Sequence, residues 1–379
     1  MDNVLAADIA AFALLFIASA MLRRRFRHHG YAATAAGGIV MATGIFASFS
    51  LPRLPFHSPW LGRLVTIEIM VIWLFLAGSY LASALHRRFR MHVRHPLRRF
   101  AIGTWVAGTA VLATLCTEAL PEAPLVGRVL ALIAVALYLP YVLLFVHGYA
   151  NLLRRALTQD ADGVILLATV STQSVVIALH TAFAGAFPLR LALGMIAFDL
   201  VFLCTGLVLI ALHYRARRSW LLAVEWKNAN CIIHGAVSIT GLALVLVAPF
   251  QPAVLLDLWF VVLVLFTIVE AIEVIRMIER ERGRGLRHAI FVYDTTQWAR
   301  NFTYGMFYAF SFALQRQLDA TQAVPDVFWL PALRGVASWG QYVVLAFLLV
   351  EMTLFFRARL RRAGRVTRSR RSSCSKGIN

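Results

Sequence analysis

The sequence predicts an all-α polytopic membrane protein: ten transmembrane helices as five helical hairpins around a central pore, plus one extra N-terminal transmembrane helix. Three observations carry this expectation, namely composition, the placement of arginine, and a long-period repeat. Of 379 residues, 60 % are hydrophobic and 15 % charged, far from the mix of a soluble globular domain. A helix needs ~20 mostly apolar residues to cross ~30 Å of hydrocarbon. Eleven such segments can be placed, at 4–22, 33–51, 63–85, 99–119, 127–149, 163–186, 190–213, 229–250, 253–276, 298–318 and 335–356. The chain divides into an N-terminal helix with its basic linker (1–30), a ten-helix domain (31–356) and a basic tail (357–379) expected to be disordered.

The 37 Lys and Arg residues give a net charge of +19, but they lie between the apolar segments and in the tail. That placement speaks for topology and for anionic lipid headgroups as partners, and against nucleic acid. Arginine falls on alternate connections: Arg23 to Arg27, Arg87 to Arg99, Arg154 and Arg155, Arg215 to Arg218, and Arg276 to Arg287. Placing these inside gives a multi-pass protein of the cell (plasma or inner) membrane, N-terminus outside and C-terminus cytoplasmic. The first apolar stretch precedes its arginines, the reverse of a signal peptide, and reads as an uncleaved span. Cys116, Cys204, Cys231 and Cys374 show neither zinc-site nor disulfide spacing, so no metal or cofactor is expected.

The segments at 33, 99, 163, 229 and 298 start at steps of 66, 64, 66 and 69 residues, which marks a repeated hairpin. The two members of each hairpin differ. The returning helices are greasy, whereas the first members carry small and hydroxylic residues at mid-depth, as in GGIVMATG, GTWVAGT, TVSTQS, HGAVSITG and NFTYGM. Gly44, Gly108, Ser174, Ser238 and Gly305 fall at matching depth, with steps of 64, 66, 64 and 67. Small residues in register serve close helix packing; they also suit the wall of a passage ringed by lipid-facing partners. A solid ten-helix bundle is the alternative.

The ten-helix region resembles the tellurite-resistance/dicarboxylate transporter family, which includes the plant slow anion channels and malate and sulfite exporters. The resemblance rests on GIVMATGI at Gly38–Ile45, HPLRRFAIGTWVAGTAVL, DGVILLATVSTQS at Asp162–Ser174, HGAVSITGLA at His234–Ala243 and YDTTQWARNFTYGM at Tyr293–Met306. It implies a homotrimer in which each subunit has its own pore, closed by a phenylalanine; Phe302, four residues after Trp298, takes that gate position. Thr303 and Tyr304 stand where the family has Pro and Leu, and the N-terminal helix has no counterpart.

An anion crossing a bilayer must exchange its water for dipoles weak enough to let it leave. Thr43, Thr109, Thr172, Ser174, Ser238 and Thr240, with Gln173 and Asn301, are the candidate donors, and Gly44, Gly108 and Gly305 share the expected pore wall. The competing role for each hydroxyl is a bond to its own helix carbonyl. Arg300, just inside the ninth of the ten helices, can attract anions at the cytoplasmic mouth, pair with Glu270 or Glu273, or reach headgroups. Intramembrane ionisable groups, Glu68, His180, Asp199, His234, Glu270, Glu273 and Glu351, are functional candidates by default. His180 and His234 are the possible proton relay.

The leading expectation is an anion channel or transporter moving a small inorganic anion or an organic or oxyanion through a gated intrasubunit pore. A proton-coupled dicarboxylate, sulfite or tellurite carrier is the second. A membrane-embedded enzyme or fluxless sensor is the third, and no His, Asp, Glu or Cys cluster at one interface speaks for it.

Overall fold

Long apolar stretches can satisfy their backbone N–H and C=O groups in lipid only by bonding internally, and in this chain they do so as helices. The computed structural model describes residues 2–25, 30–154, 160–216, 222–247, 251–285, 292–321 and 327–375. The long helices are α1 (Asp2–Arg25), α2 (Thr34–Arg53), α3 (Pro59–Leu85), α4 (Arg98–Ala119), α5 (Pro124–Arg154), α6 (Gly163–Ala182), α7 (Leu189–Arg215), α8 (Asn228–Val247), α9 (Pro252–Arg284), α10 (Gln297–Thr321) and α11 (Leu330–Ser375). No strand occurs among the described residues. Nine helices there, α1 to α9, are long and apolar enough to cross a membrane, as a multi-pass membrane protein requires. α10 and α11, of 25 and 46 residues, are not among those nine.

The repeat is visible in how the helices start. α2, α4, α6 and α8 each open with a 3₁₀ turn, at Thr34, Arg98, Gly163 and Asn228, so the starts lie 64, 65 and 65 residues apart. At the third of these, Asp162 caps the turn by accepting from the Val164 N–H at 2.9 Å, and Asn230 Oδ1 accepts from the Gly163 N–H at 2.8 Å. One side chain of α8 thereby fixes the first turn of α6.

α2, α4, α6, α8 and α10 pack in a cycle, each against the next, with α10 returning to α2. α3, α5, α7, α9 and α11 lie outside, each in the groove between two successive members of that cycle. Burial follows this order. In α2, α4, α6 and α8, 67–89 % of the most apolar window is buried, against 28–33 % in α3, α5, α7 and α9 and 0 % in α1. The exposed faces of the outer helices are leucine, valine and isoleucine, including Leu132, Leu139 and Leu143 on α5.

α1 packs on α3, tied at both ends. Arg63 on α3 reaches Asp8 at 2.7 Å and Glu122, between α4 and α5, at 2.5 Å; these hydrogen bonds hold the Glu122 carboxyl below the usual carboxylate range. Ser19 donates to Glu68 at 3.2 Å and Arg23 stacks on Phe75.

The backbone from 357 onward continues α11 as helix to Ser375. Its stretch of Arg, Ala and Leu from Arg357 to Ala363 is made of good helix formers, and it carries on from a helix already nucleated by packing.

Candidate functional site: the axis of the five-helix cycle

Two cavities lie between the members of the cycle, and every member contributes to both. The first is lined by Gly38 and Met41 of α2, Thr104 of α4, Leu167 and Val170 of α6, Ile232 of α8, and Phe302 of α10, with Thr295 and Thr296 at its edge. The second is lined by Ile45, Ser48 and Phe49 of α2, Val111 and Thr114 of α4, Ser174 and Ile177 of α6, Ile239 and Leu242 of α8, and Met306 of α10. In each helix the residues of the first cavity precede those of the second. The five helices therefore run in the same direction, their first turns and the arginine-rich linkers at one end. Phe302 borders the first cavity and Met306, one turn on, borders the second; both are 1 % exposed. Met41, 2 % exposed, lies beside them on α2.

Gly44, Gly108 and Gly305 hold the cycle together rather than line a cavity. A Cβ on Gly44 would sit 2.6 Å from Val111, one on Gly108 3.1 Å from the Gly37 carbonyl, and one on Gly305 2.6 Å from Ile45. Gly103, Gly163 and Gly235 take the same part at the other three seams, against Leu167, Ala229 and Thr303. Absence of a side chain lets neighbouring backbones approach, which is how helices associate where lipid competes equally for apolar surface. Neither cavity lining includes Gly44, Gly108 or Gly305.

The hydroxyls divide. Thr43 donates to the Ile39 carbonyl at 2.7 Å and Ser238 to that of His234 at 2.7 Å. Thr109 donates to Trp105 and accepts from Trp73 Nε1 of the outer helix α3 at 2.9 Å. Thr172 donates to Ala168 and meets the Tyr138 hydroxyl of α5 at 3.0 Å. Ser174 alone of the predicted donors lines a cavity, with its Oγ buried and unpartnered. Asn301 is buried with Oδ1 unpartnered, yet lines neither cavity.

Arg300 faces away from the axis. Its Nη2 lies 2.8 Å from Glu273 on α9, a carboxylate it shares with Arg276 at 3.1 Å, while Arg276 also donates to Asn228 at 2.8 Å. Asn228 in turn donates to Thr296 at the rim of the first cavity, at 3.0 Å. Of the three roles the sequence allowed Arg300, pairing is the one formed. His234 is fully buried with Nε2 3.8 Å from Glu270, which accepts from Tyr304 at 2.8 Å. His180 is near the far end of α6, whereas His234 is in the second turn of α8. Counted from their helix starts they differ by roughly 16 Å along parallel axes, so the two do not form one relay.

Neither a family model nor a curated protein matches this chain.

Sequence reasoning named Asp199 and Gln173 without joining them. They face each other across α6 and α7, fully buried, with Gln173 Nε2 donating to Asp199 Oδ2 at 2.9 Å and Gln173 Oε1 and Asp199 Oδ1 unpartnered. The signal was present: an acid and an amide are each expensive in lipid alone, and the members of one hairpin are the nearest partners for each other. Met306 had no such signal, because nothing distinguishes an axial methionine from a packing one.

Proposed function

We propose that the protein is an anion channel or transporter whose passage runs along the axis of the five-helix cycle and is shut at Phe302. In this reading α10 and α11 also cross the membrane. The chain then makes ten crossings as five hairpins plus α1, with the arginine-rich linkers cytoplasmic. The observation that carries it is the pair of cavities, each walled by all five inner helices and separated at the level of Phe302 and Met306.

The chemistry of the wall supports an anion over a cation. Glu270 and Glu273, on the outer helix α9, are held by Tyr304, Arg300 and Arg276, and no acid lines either cavity. The polar groups that do line them are hydroxyls, which lend a hydrogen to an anion without binding it too tightly to leave. An unpaired ion in so apolar a space costs tens of kcal/mol by Born estimates, ~20 kcal/mol at ε ≈ 4; a shut state without water in the narrow level is therefore an effective barrier. The resemblance to the tellurite-resistance/dicarboxylate transporters points the same way and adds the homotrimer.

Phe302→Ala should raise anion conductance several-fold in planar bilayers. Unchanged conductance in a well-folded variant would remove Phe302 from the gate. The His234–Glu270–Tyr304 chain favours a second reading, a proton-linked carrier of a dicarboxylate, sulfite or tellurite. Uptake into proteoliposomes would then follow an imposed pH gradient, and uptake indifferent to that gradient rejects it.

A further inference from the structure

The sequence places its anion-attracting charge at the arginine-rich end, but the structure gathers a second positive site at the other. Arg53 closes α2, and its guanidinium stacks on Phe312 of α10 with 3.4 Å from Cζ to the ring centroid. Arg316, one turn on from Phe312, approaches the same ring at 5.9 Å. The two cations are close enough to repel one another. Among the described residues neither lies within 4 Å of a carboxylate. Glu118, exposed at the end of α4, is the acid within electrostatic reach of Arg53. Arg53 spends one N–H on the Phe49 carbonyl, and Phe49 lines the second cavity.

From this pair inward along the second cavity stand hydroxyls with nothing to bond. Tyr308, 1 % exposed and in electrostatic reach of Arg53, has an unpartnered OH. Ser174, 3 % exposed, and Ser48, both lining the cavity, have unpartnered Oγ atoms. A buried hydroxyl without a partner costs about 1–3 kcal/mol, and two guanidinium groups held on one ring cost more again unless a counter-charge joins them. A single anion beside the two guanidinium groups answers their repulsion and the Tyr308 hydroxyl together. A planar guanidinium with free N–H groups matches the edge of an oxyanion, two donors to two oxygens.

We propose that Arg53, Arg316 and the Tyr308 hydroxyl form a binding site for a small oxyanion at the mouth of the second cavity, loading the passage from the end opposite the arginine-rich linkers. Ser48 and Ser174 are the next donors inward. The site rests on the transport reading for its purpose, though not for its existence.

The experiment uses the full-length protein in two arms, with nitrate as the probe. In detergent, nitrate should raise the melting temperature of the wild type in a saturable way, and Arg53→Gln and Tyr308→Phe should each shift the half-saturating concentration upward at least five-fold. In bilayers, Arg316→Gln, an exposed position that leaves packing alone, should raise the nitrate concentration giving half-maximal current from this end by about three-fold while sparing current from the other. Arg53→Lys should recover the charge but not the two-point match, and so restore current only in part. A wild type with saturable nitrate stabilisation but no flux would sink the transport reading and keep the site. Flux in the wild type, with nitrate stabilisation and half-saturation unchanged in Arg53→Gln and Arg316→Gln, would sink the site and keep transport. Equal nitrate stabilisation of the wild type, Arg53→Gln and Tyr308→Phe also overturns it.

Discussion

The inner and outer helices differ in almost every respect that sequence can encode. The inner four that open with 3₁₀ turns, α2, α4, α6 and α8, have 20 to 22 residues, whereas their outer partners run from 27 to 33. The inner ones bury 67–89 % of their most apolar window and the outer ones 28–33 %. The inner helices carry the glycines and hydroxyls at their seams; the outer ones carry leucine toward lipid. What this teaches is that hydrophobicity puts a helix in the membrane but does not put it in the centre. Small residues decide the centre, because only they let five backbones close a cycle against the competition of lipid.

Breaking one seam should therefore do more damage than any change on the outer face. Gly163→Val forces a side chain where a Cβ would already be 2.0 Å from the Ala229 carbonyl, and backbone cannot step aside as a side chain can. Loss of the monodisperse peak in size-exclusion chromatography is expected, while Leu143→Ala, 73 % exposed on α5, elutes as the wild type. If both elute normally, the glycine seams are not what holds the cycle closed.

Next in size is Glu273→Gln. It strips the shared carboxylate from Arg276 and Arg300, and removing one partner of a buried ion pair costs ~3–5 kcal/mol. Arg300 is a quarter exposed, so the lower end applies, read as a drop in melting temperature in detergent. Asp199→Ala, which orphans the Gln173 amide, should cost about 1–3 kcal/mol. Asp199→Asn should cost less, because an amide still accepts from Gln173; equal losses would mean that the charge of Asp199, not its shape, matters.

Thr109→Val and Ser174→Val sharpen the division among hydroxyls. The first breaks the Trp73 contact, worth about 1 kcal/mol, and should leave conductance as it was. The second alters the cavity wall and should change conductance with little effect on melting.

The smallest effect concerns the linker between α3 and α4. His92 is fully buried between Thr34, at 2.9 Å, and Ser83, at 3.2 Å, and burial lowers its pKa. The unfolded chain then binds the proton more readily, so stability from this contact is complete above the unfolded value of about 6.5 and declines as pH falls below it. Melting curves between pH 7.5 and 5 should show that decline in the wild type and less of it in His92→Gln.

Much of this architecture is legible in the sequence for physical reasons. Span length is set by the bilayer, arginine alternation by topology, and the repeat by the recurrence of one hairpin. The direction of each side chain is not legible. Thr43, Thr109, Thr172 and Ser174 look alike in a string of apolar residues, because an inner helix is buried on every face and no polar face marks the axis. Only packing shows that Ser174 lines a cavity while Thr109 turns to Trp73. Arg300 followed the same logic: its carboxylate partner is on the preceding outer helix, a pairing the sequence allows without selecting. Arg53 and Arg316 are 263 residues apart and meet because the cycle closes between α10 and α2.

The central claim, that the cycle encloses a passage shut at Phe302, is tested most directly by chemical access to Ser174. In a background without native cysteines, Ser174→Cys should resist a charged methanethiosulfonate reagent applied from the arginine-rich side when Phe302 is present, and react at least ten-fold faster when Phe302 is alanine. Equal rates in the two backgrounds would contradict a closure at Phe302.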